Sequence, residues 1–215
     1  MKAVDETTRL VWICNPNNPT GTYESVEDIR KFVEAVPKET LVIVDEAYID
    51  FVTSVAVPTV RALLDELPNV AIMRTFSKAY GLANYRVGYM MTPLELANYI
   101  QTIRLPYNLN TLSQVAAEAA FDDQAFLART VSQNAEERVK WEALFDELGI
   151  HYYKSEANFI FFEAPDADAD GLADAWLTEG YQVRRGQRDG WLRLTIPMAQ
   201  DGDVMRHILK QFMNK

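Results

Sequence analysis

Along the first half of the chain, unbroken apolar runs alternate with segments of helical period. The runs RLVWIC (9–14), TLVIVDEAY (40–48), NVAIMRTFS (69–77) and YRVGYMMT (85–92) are bounded by polar or turn-forming residues. Short continuous apolar runs predict strands covered on both faces. Between the first two, Val26, Ile29, Val33 and Val36 fall on one helical face, with Ser25 and Asp28 forming a capping box in front. Further helices are expected near 57–66, over 93–104 and over 110–121. Strands alternating with helices predict an α/β fold, a mostly parallel sheet with helices on both faces.

The texture changes after residue 121. A long helix is expected over about 123–148, where Trp141, Leu144, Phe145 and Leu148 keep the i, i+3, i+4, i+7 spacing and Gly149 stops it. Strand-like segments follow in HYYKSEANFIFFEA (151–164), YQVRRG and WLRLTIP. A short helix is expected at 171–179, and a last helix carries Met205, Ile208, Leu209 and Phe212 on one face. The pattern predicts two domains: 1–121, the α/β part, and 122–215, a smaller α+β domain.

Composition narrows the chemistry. A net charge of −10 over 215 residues disfavours nucleic acid as the main partner, since phosphate backbones need a basic field. A local basic pocket for a small anion is still compatible with it. The single cysteine, Cys14, cannot form an internal disulfide, which suits a reducing compartment. No apolar run approaches transmembrane length and the first residues carry no signal core, so a cytoplasmic protein is expected. Two histidines and one cysteine leave little for a transition-metal site, and none is expected.

The polar residues of interest sit where apolar strands end, the place where open α/β sheets bind ligands. NPNNPTGTY (15–23) follows the first strand; by itself it reads as a rigid Asn/Pro/Gly turn or as a loop offering amides to a ligand. Asp45, Glu46 and Tyr48 close the second strand. A carboxylate there either caps the next turn or faces a cationic partner. Thr75, Ser77 and Lys78 close the third. Lys78 either snorkels to solvent or serves as an amine for carbonyl chemistry. Thr75, Ser77 and Arg86 together offer two hydroxyls and a guanidinium fork, suited to phosphate. Neither G-x-x-x-x-G-K-[ST] nor G-x-G-x-x-G occurs in the chain.

Taken together and in this order, NPNNPTG, VDEAY and TFSKAYGLANYRVGY resemble the pyridoxal-phosphate-dependent aminotransferases of the aspartate-aminotransferase fold (fold type I). Within them the nearest likeness is to the histidinol-phosphate branch, and RLPYNLN, SEANFIFF, VRRG and WLRLTIP are similar as well. The likeness runs over nearly the whole chain. It implies a partial fold-type-I large domain followed by the small C-terminal domain, and pyridoxal 5'-phosphate as cofactor. It also implies a homodimer and transamination between L-histidinol phosphate and 2-oxoglutarate or glutamate in histidine biosynthesis.

The resemblance implies a role for each matching residue. Lys78 matches the lysine that forms a Schiff base with the cofactor aldehyde and carries the proton. Asp45 matches the partner of the pyridinium nitrogen, and Asn18 and Tyr48 match the donors to the ring oxygen. Thr75, Ser77 and Arg86 match phosphate ligands. Arg193 matches the clamp on a substrate carboxylate, and Arg184 the contact to the phosphate of histidinol phosphate. Asn158 and the Tyr107–Asn108 pair lie in motifs near the pocket. Arg185 is expected to point into solvent from the opposite strand face. GLANYRVGY departs from the more familiar GLAGLRVGY at Asn84 and Tyr85, and a local packing change is expected there.

Members of the family carry a further segment before the Asn-Pro-Asn-Asn loop. It holds a Gly-containing turn that binds the cofactor phosphate, a ring-stacking aromatic, and a tyrosine reaching the partner subunit. The expectation is therefore a chain lacking this N-terminal third, through truncation or because another chain supplies it. Three alternatives follow: an aromatic amino-acid aminotransferase, a threonine-phosphate-decarboxylase-like enzyme, or an inactive fragment.

Overall fold

A computed structural model describes residues 3–214. The chain forms two compact units. One comprises the chain up to Pro16 together with Glu24–Ala128, and the other Asn17–Tyr23 together with the chain from Arg129 onward. The expected division at 121 falls inside a helix, Thr111–Asp122, which cannot be cut without losing its hydrogen bonds. The loop 17–23 joins the second unit because its backbone is bonded there, Glu156 N–H donating to Gly21 C=O at 2.8 Å.

The first unit holds a four-stranded sheet in the order β1 (Leu10–Cys14), β2 (Leu41–Asp45), β3 (Val70–Thr75), β4 (Gly88–Met91). The first three strands are parallel and β4 is antiparallel to β3. The reason lies in the link between β3 and β4. It contains only a 3-10 turn at Ala83–Tyr85, with no helix to make a crossover, so the chain folds back. Gly88 sits opposite Thr75. A Cβ on Gly88 would come within 2.6 Å of the Arg74 carbonyl oxygen, so the close return requires glycine.

Helix α1 (Val26–Ala35) is capped as expected, Ser25 Oγ accepting from Asp28 N–H at 3.1 Å. Its Ile29 and Val33 pack with Val42, Val44, Val70 and Ile72 of the sheet. The helix expected near 57–66 is instead a five-residue 3-10 turn, Arg61–Asp65. Its start is fixed by a side chain: the Glu46 carboxylate takes Val60 N–H and the Thr59 hydroxyl, both at 2.8 Å. Helices α2 (Leu94–Ile103) and α3 (Thr111–Asp122) lie where expected. Helix α2 has no buried residue, and Ile103, Leu105 and Tyr107 are exposed, Tyr107 at 99%.

Helix α4 (Gln124–Leu148) begins in the first unit and lies mostly in the second. Gly149 follows at φ +67°, the left-handed stop read from the sequence. The second unit contains an antiparallel sheet ordered β5 (Phe159–Glu163), β7 (Trp191–Thr195), β6 (Arg184–Arg185). Helices α5 (Ala169–Thr178) and α6 (Ala199–Met213) complete it. Ile160, Phe162, Leu192 and Leu194 enter a core with Trp141, Phe145, Trp176 and Leu209. The period of a strand then turns Phe159, Phe161, Trp191 and Arg193 to the other face. Among the described residues no helix is long and apolar enough to cross a membrane.

Candidate functional site

In the first unit, the carboxyl ends of β2 and β3 place six of the candidates. Asp45 is the last residue of β2, in register with Cys14 and Met73. Its Oδ1 accepts from Ala47 N–H at 3.1 Å, so the side chain is held without a cationic partner among the described residues. Tyr48 is buried just beyond. The Lys78 ammonium lies 5.2 Å from the Tyr48 ring centroid, a cation–π distance. No carboxylate of the described residues pairs with Lys78, whereas Lys31, Lys140 and Lys210 each pair with a glutamate.

Thr75 ends β3, and its Oγ1 accepts from Ser77 N–H at 3.0 Å, while the Ser77 hydroxyl has no hydrogen-bond partner among the described residues. Arg86 adopts φ +53°, a conformation that a non-glycine residue keeps only where the surroundings impose it. Its Nη1 donates to Ala83 C=O at 2.8 Å. Thr75, Ser77 and Arg86 line one open depression of about 650 Å³, together with Arg74, Tyr89 and Asn108. Asn108 thus reaches the depression. Its neighbour Tyr107 is solvent-exposed and does not line it.

Two residues of this region, Arg74 and Asp50, gained their place only from the structure. Arg74 sits inside β3 and binds Glu46 through Nε at 2.9 Å and Nη2 at 2.8 Å. Glu46 is 1% exposed. Burial pulls the Arg74 pKa down, but the Glu46 charge and hydrogen bond outweigh it and hold it above the usual value. Burial pushes the nearby Asp50 carboxyl up, with the Glu46 charge adding to the rise and Arg74 opposing it. An acid whose folded pKa is raised lowers stability as pH climbs past its ordinary range, so ionised Asp50 costs the fold stability at neutral pH. An arginine within the apolar run AIMRT was the available sequence signal.

In the second unit, Arg193 of β7 lies over the Phe159 ring, 4.7 Å from its centroid. Its Nη1 donates to Asn18 Oδ1 at 2.7 Å, which brings two candidates 175 positions apart into contact. The amide of Asn18 is thereby oriented with its NH₂ turned away from Arg193. Arg184 of β6 is the register partner of Arg193. It is exposed and makes no ion pair or hydrogen bond among the described residues. Arg185 corrects the expectation of a purely solvated side chain: it pairs with Asp170, and with Asp174 at 3.4 Å, both on α5. The two neighbours on one strand face opposite ways, one tied to a helix and one open. Asn158 is half-buried, and its carbonyl accepts from Ile196 N–H at 2.9 Å. Tyr85 is exposed, and its carbonyl accepts from Ser113 Oγ at 2.6 Å.

Comparison with known proteins adds the family. The aminotransferase class I and II profile matches residues 1–212. The histidinol-phosphate aminotransferase of Lactiplantibacillus plantarum is 52% identical over 212 residues, which is 99% of this chain and 59% of that protein. The chain thus spans about 59% of the length of the first curated relatives it matches. Among solved structures, histidinol-phosphate aminotransferase from Sinorhizobium meliloti, in complex with pyridoxal-5'-phosphate, superposes with a TM-score of 0.85 at 29% identity. That match covers 96% of this chain and 57% of the other. The enzyme from Clostridium acetobutylicum gives 0.88 at 25% identity, covering 96% and 64%.

Proposed function

The chain belongs to the class I and II aminotransferases, and from that premise we propose that it takes pyridoxal 5'-phosphate on Lys78 and serves transamination between L-histidinol phosphate and 2-oxoglutarate. The observation carrying this reading is the Lys78 amine. It is exposed, free of any carboxylate among the described residues, and set against Tyr48 between strand ends that present Asp45 on one side and Ser77 on the other. The residues suit the cofactor. A hydroxyl at Ser77 without a partner among the described residues, a second hydroxyl at Thr75 and a guanidinium at Arg86 border one depression, a donor set for a phosphate. Bound there, pyridoxal phosphate supplies an electron-withdrawing ring that stabilises negative charge on the amino-acid Cα.

The protein's own groups then have distinct tasks. Lys78 Nζ would be the point of covalent attachment for the cofactor aldehyde, whose oxygen leaves as water, and the amine would afterwards take and return the proton at Cα. Asp45 has one oxygen held by Ala47 N–H and offers the other to a protonated ring nitrogen. Asn18, with its Oδ1 engaged by Arg193, has its NH₂ to donate to a ring oxygen, and Tyr48 donates its hydroxyl likewise. Arg193 meets a substrate carboxylate through its fork, with Asn158 beside it in the same reading. Arg184, the open guanidinium of its strand pair, meets the substrate phosphate. A cytoplasmic homodimer belongs to the same reading, supported by the exposed apolar side chains Ile103, Leu105 and Leu112.

The direct test adds pyridoxal phosphate at one equivalent, reduces with borohydride and maps the mass increment. The expected site is the peptide containing Lys78; an increment spread over surface lysines would overturn the reading. Substrate choice is tested separately with Arg184→Ala in enzyme active with both substrates. KM for histidinol phosphate is expected to rise about a hundredfold, the scale of a lost charged hydrogen bond, with KM for glutamate little changed. An equal rise for both removes the assignment of Arg184. Carbon dioxide release without a keto-acid acceptor would point to a decarboxylase instead.

A further inference from the structure

One face of α4 carries a row of polar side chains that the proposed chemistry does not use. Asn134, Arg138 and Glu142 recur every fourth residue, so they lie in line along the helix. Asn134 and Arg138 are buried and Glu142 is half-buried. Asn134 and Arg138 end on the same short loop, Ser155–Ala157, just before β5. Asn134 Nδ2 and Arg138 Nη1 both donate to Ala157 C=O, each at 3.3 Å. Arg138 Nη2 pairs with Glu156 Oε2 at 3.1 Å, with both side chains largely buried. Glu142 continues the row, and its Oε1 has no hydrogen-bond partner among the described residues.

The loop is therefore held at Glu156 and Ala157, and it holds something else in turn. Glu156 N–H donates to Gly21 C=O at 2.8 Å. Gly21 lies so close to the loop that a Cβ there would sit 2.2 Å from Ser155 Oγ. The 17–23 segment is closed on itself by Asn17 N–H to Thr22 C=O at 2.8 Å and Gly21 N–H to Asn17 C=O at 2.7 Å. Asn18, which meets Arg193, is part of this closed turn.

We infer that the Asn134–Arg138 pair is a positioning device: through the 155–157 loop and Gly21 it sets where Asn18 stands and keeps its amide on Arg193. A buried Arg–Glu pair adds little net stability over an apolar pair of similar volume, and a role in fixing geometry accounts for its presence here. Arg138 and its neighbours are positioning residues, which act on Asn18 through the 155–157 loop. The functional weight of the device rests on the cofactor reading above; the mechanical coupling does not.

Hydrogen exchange on the unloaded chain tests the coupling. In Arg138→Met, amides in 17–23 are expected to exchange about tenfold faster or more, as for loss of one charged hydrogen bond. Peptides from α6 and β7 should stay at their original rates. Arg138→Lys, which keeps the charge near Glu156, should recover part of the protection. Unchanged protection in 17–23, or equal acceleration everywhere, overturns the inference. If Arg138→Met does not fold, Glu156→Gln cuts the pair with less disturbance and should accelerate the same segment. On loaded chain, Arg138→Met should shift the pH midpoint of the cofactor's visible band in the same direction as Asn18→Ala, and an unmoved midpoint counts against it. Should the unaltered chain show no such band, the cofactor reading fails while the exchange data still decide the coupling.

Discussion

A Lys78→Ala chain treated with one equivalent of pyridoxal phosphate and then borohydride is expected to carry no cofactor on the peptide spanning Arg74–Arg86, where the unaltered chain carries it. The loss should be complete because no neighbouring side chain can replace the amine. Around Lys78 the chain offers Ser77, Tyr48, Thr75 and Arg86, and none of them condenses stably with an aldehyde. Lys78→Arg separates charge from nucleophilicity. Its guanidinium keeps a cation near the Tyr48 ring but stays protonated and forms no adduct. Both variants should retain the unaltered unfolding midpoint, since Lys78 is exposed and its one described side-chain contact is the ring 5.2 Å away. Equal labelling of the Ala variant and the unaltered chain would show that the cofactor attaches elsewhere, and would remove Lys78 from the chemistry.

Much of this was readable before any coordinates. The strands β2 and β3 are apolar at nearly every position, and a strand needing cover on both faces declares itself that way. Helix α4 kept its Trp141–Leu144–Phe145 stripe, and the Ser25 cap and the Gly149 stop lie where the side-chain chemistry put them. Features set by contacts distant in sequence were not readable. The antiparallel turn of β4 follows from a helix-free link, which looked like any loop. The segment 57–66 looked helical, yet the Glu46 carboxylate took its first N–H and hydroxyl and left a 3-10 turn. Asn18 and Arg193 were both candidates, but a bond across 175 positions has no local signature. Arg185 looked free because Asp170 and Asp174 belong to another element.

Glu46 is where the largest stability effect is expected. Glu46→Ala should lower unfolding stability by about 3–5 kcal/mol, the range for stripping one partner from a buried ion pair. Three groups lose their acceptor at once: the Arg74 guanidinium, the Thr59 hydroxyl and Val60 N–H. The Val60 amide is buried, so water does not readily replace the carboxylate there. Arg74 is worse placed, since its charge would remain inside β3 with Asp50 as the remaining nearby acid. That acid changes the pH response. Loss of the Glu46 charge removes one cause of the raised Asp50 pKa, and an unpaired Arg74 attracts the ionised form, so the Asp50 pKa should fall. The variant's deficit should therefore narrow as pH rises through the range where Asp50 ionises. Pairing is separated from packing by Glu46→Met combined with Arg74→Met. Removing both charges leaves no orphaned charge, so the double variant should be destabilised by less than the sum of the two single ones. Denaturant midpoints at fixed m-value measure all four corners of this cycle. Strict additivity would mean that the two side chains act independently, and that Glu46 matters only through Thr59 and Val60.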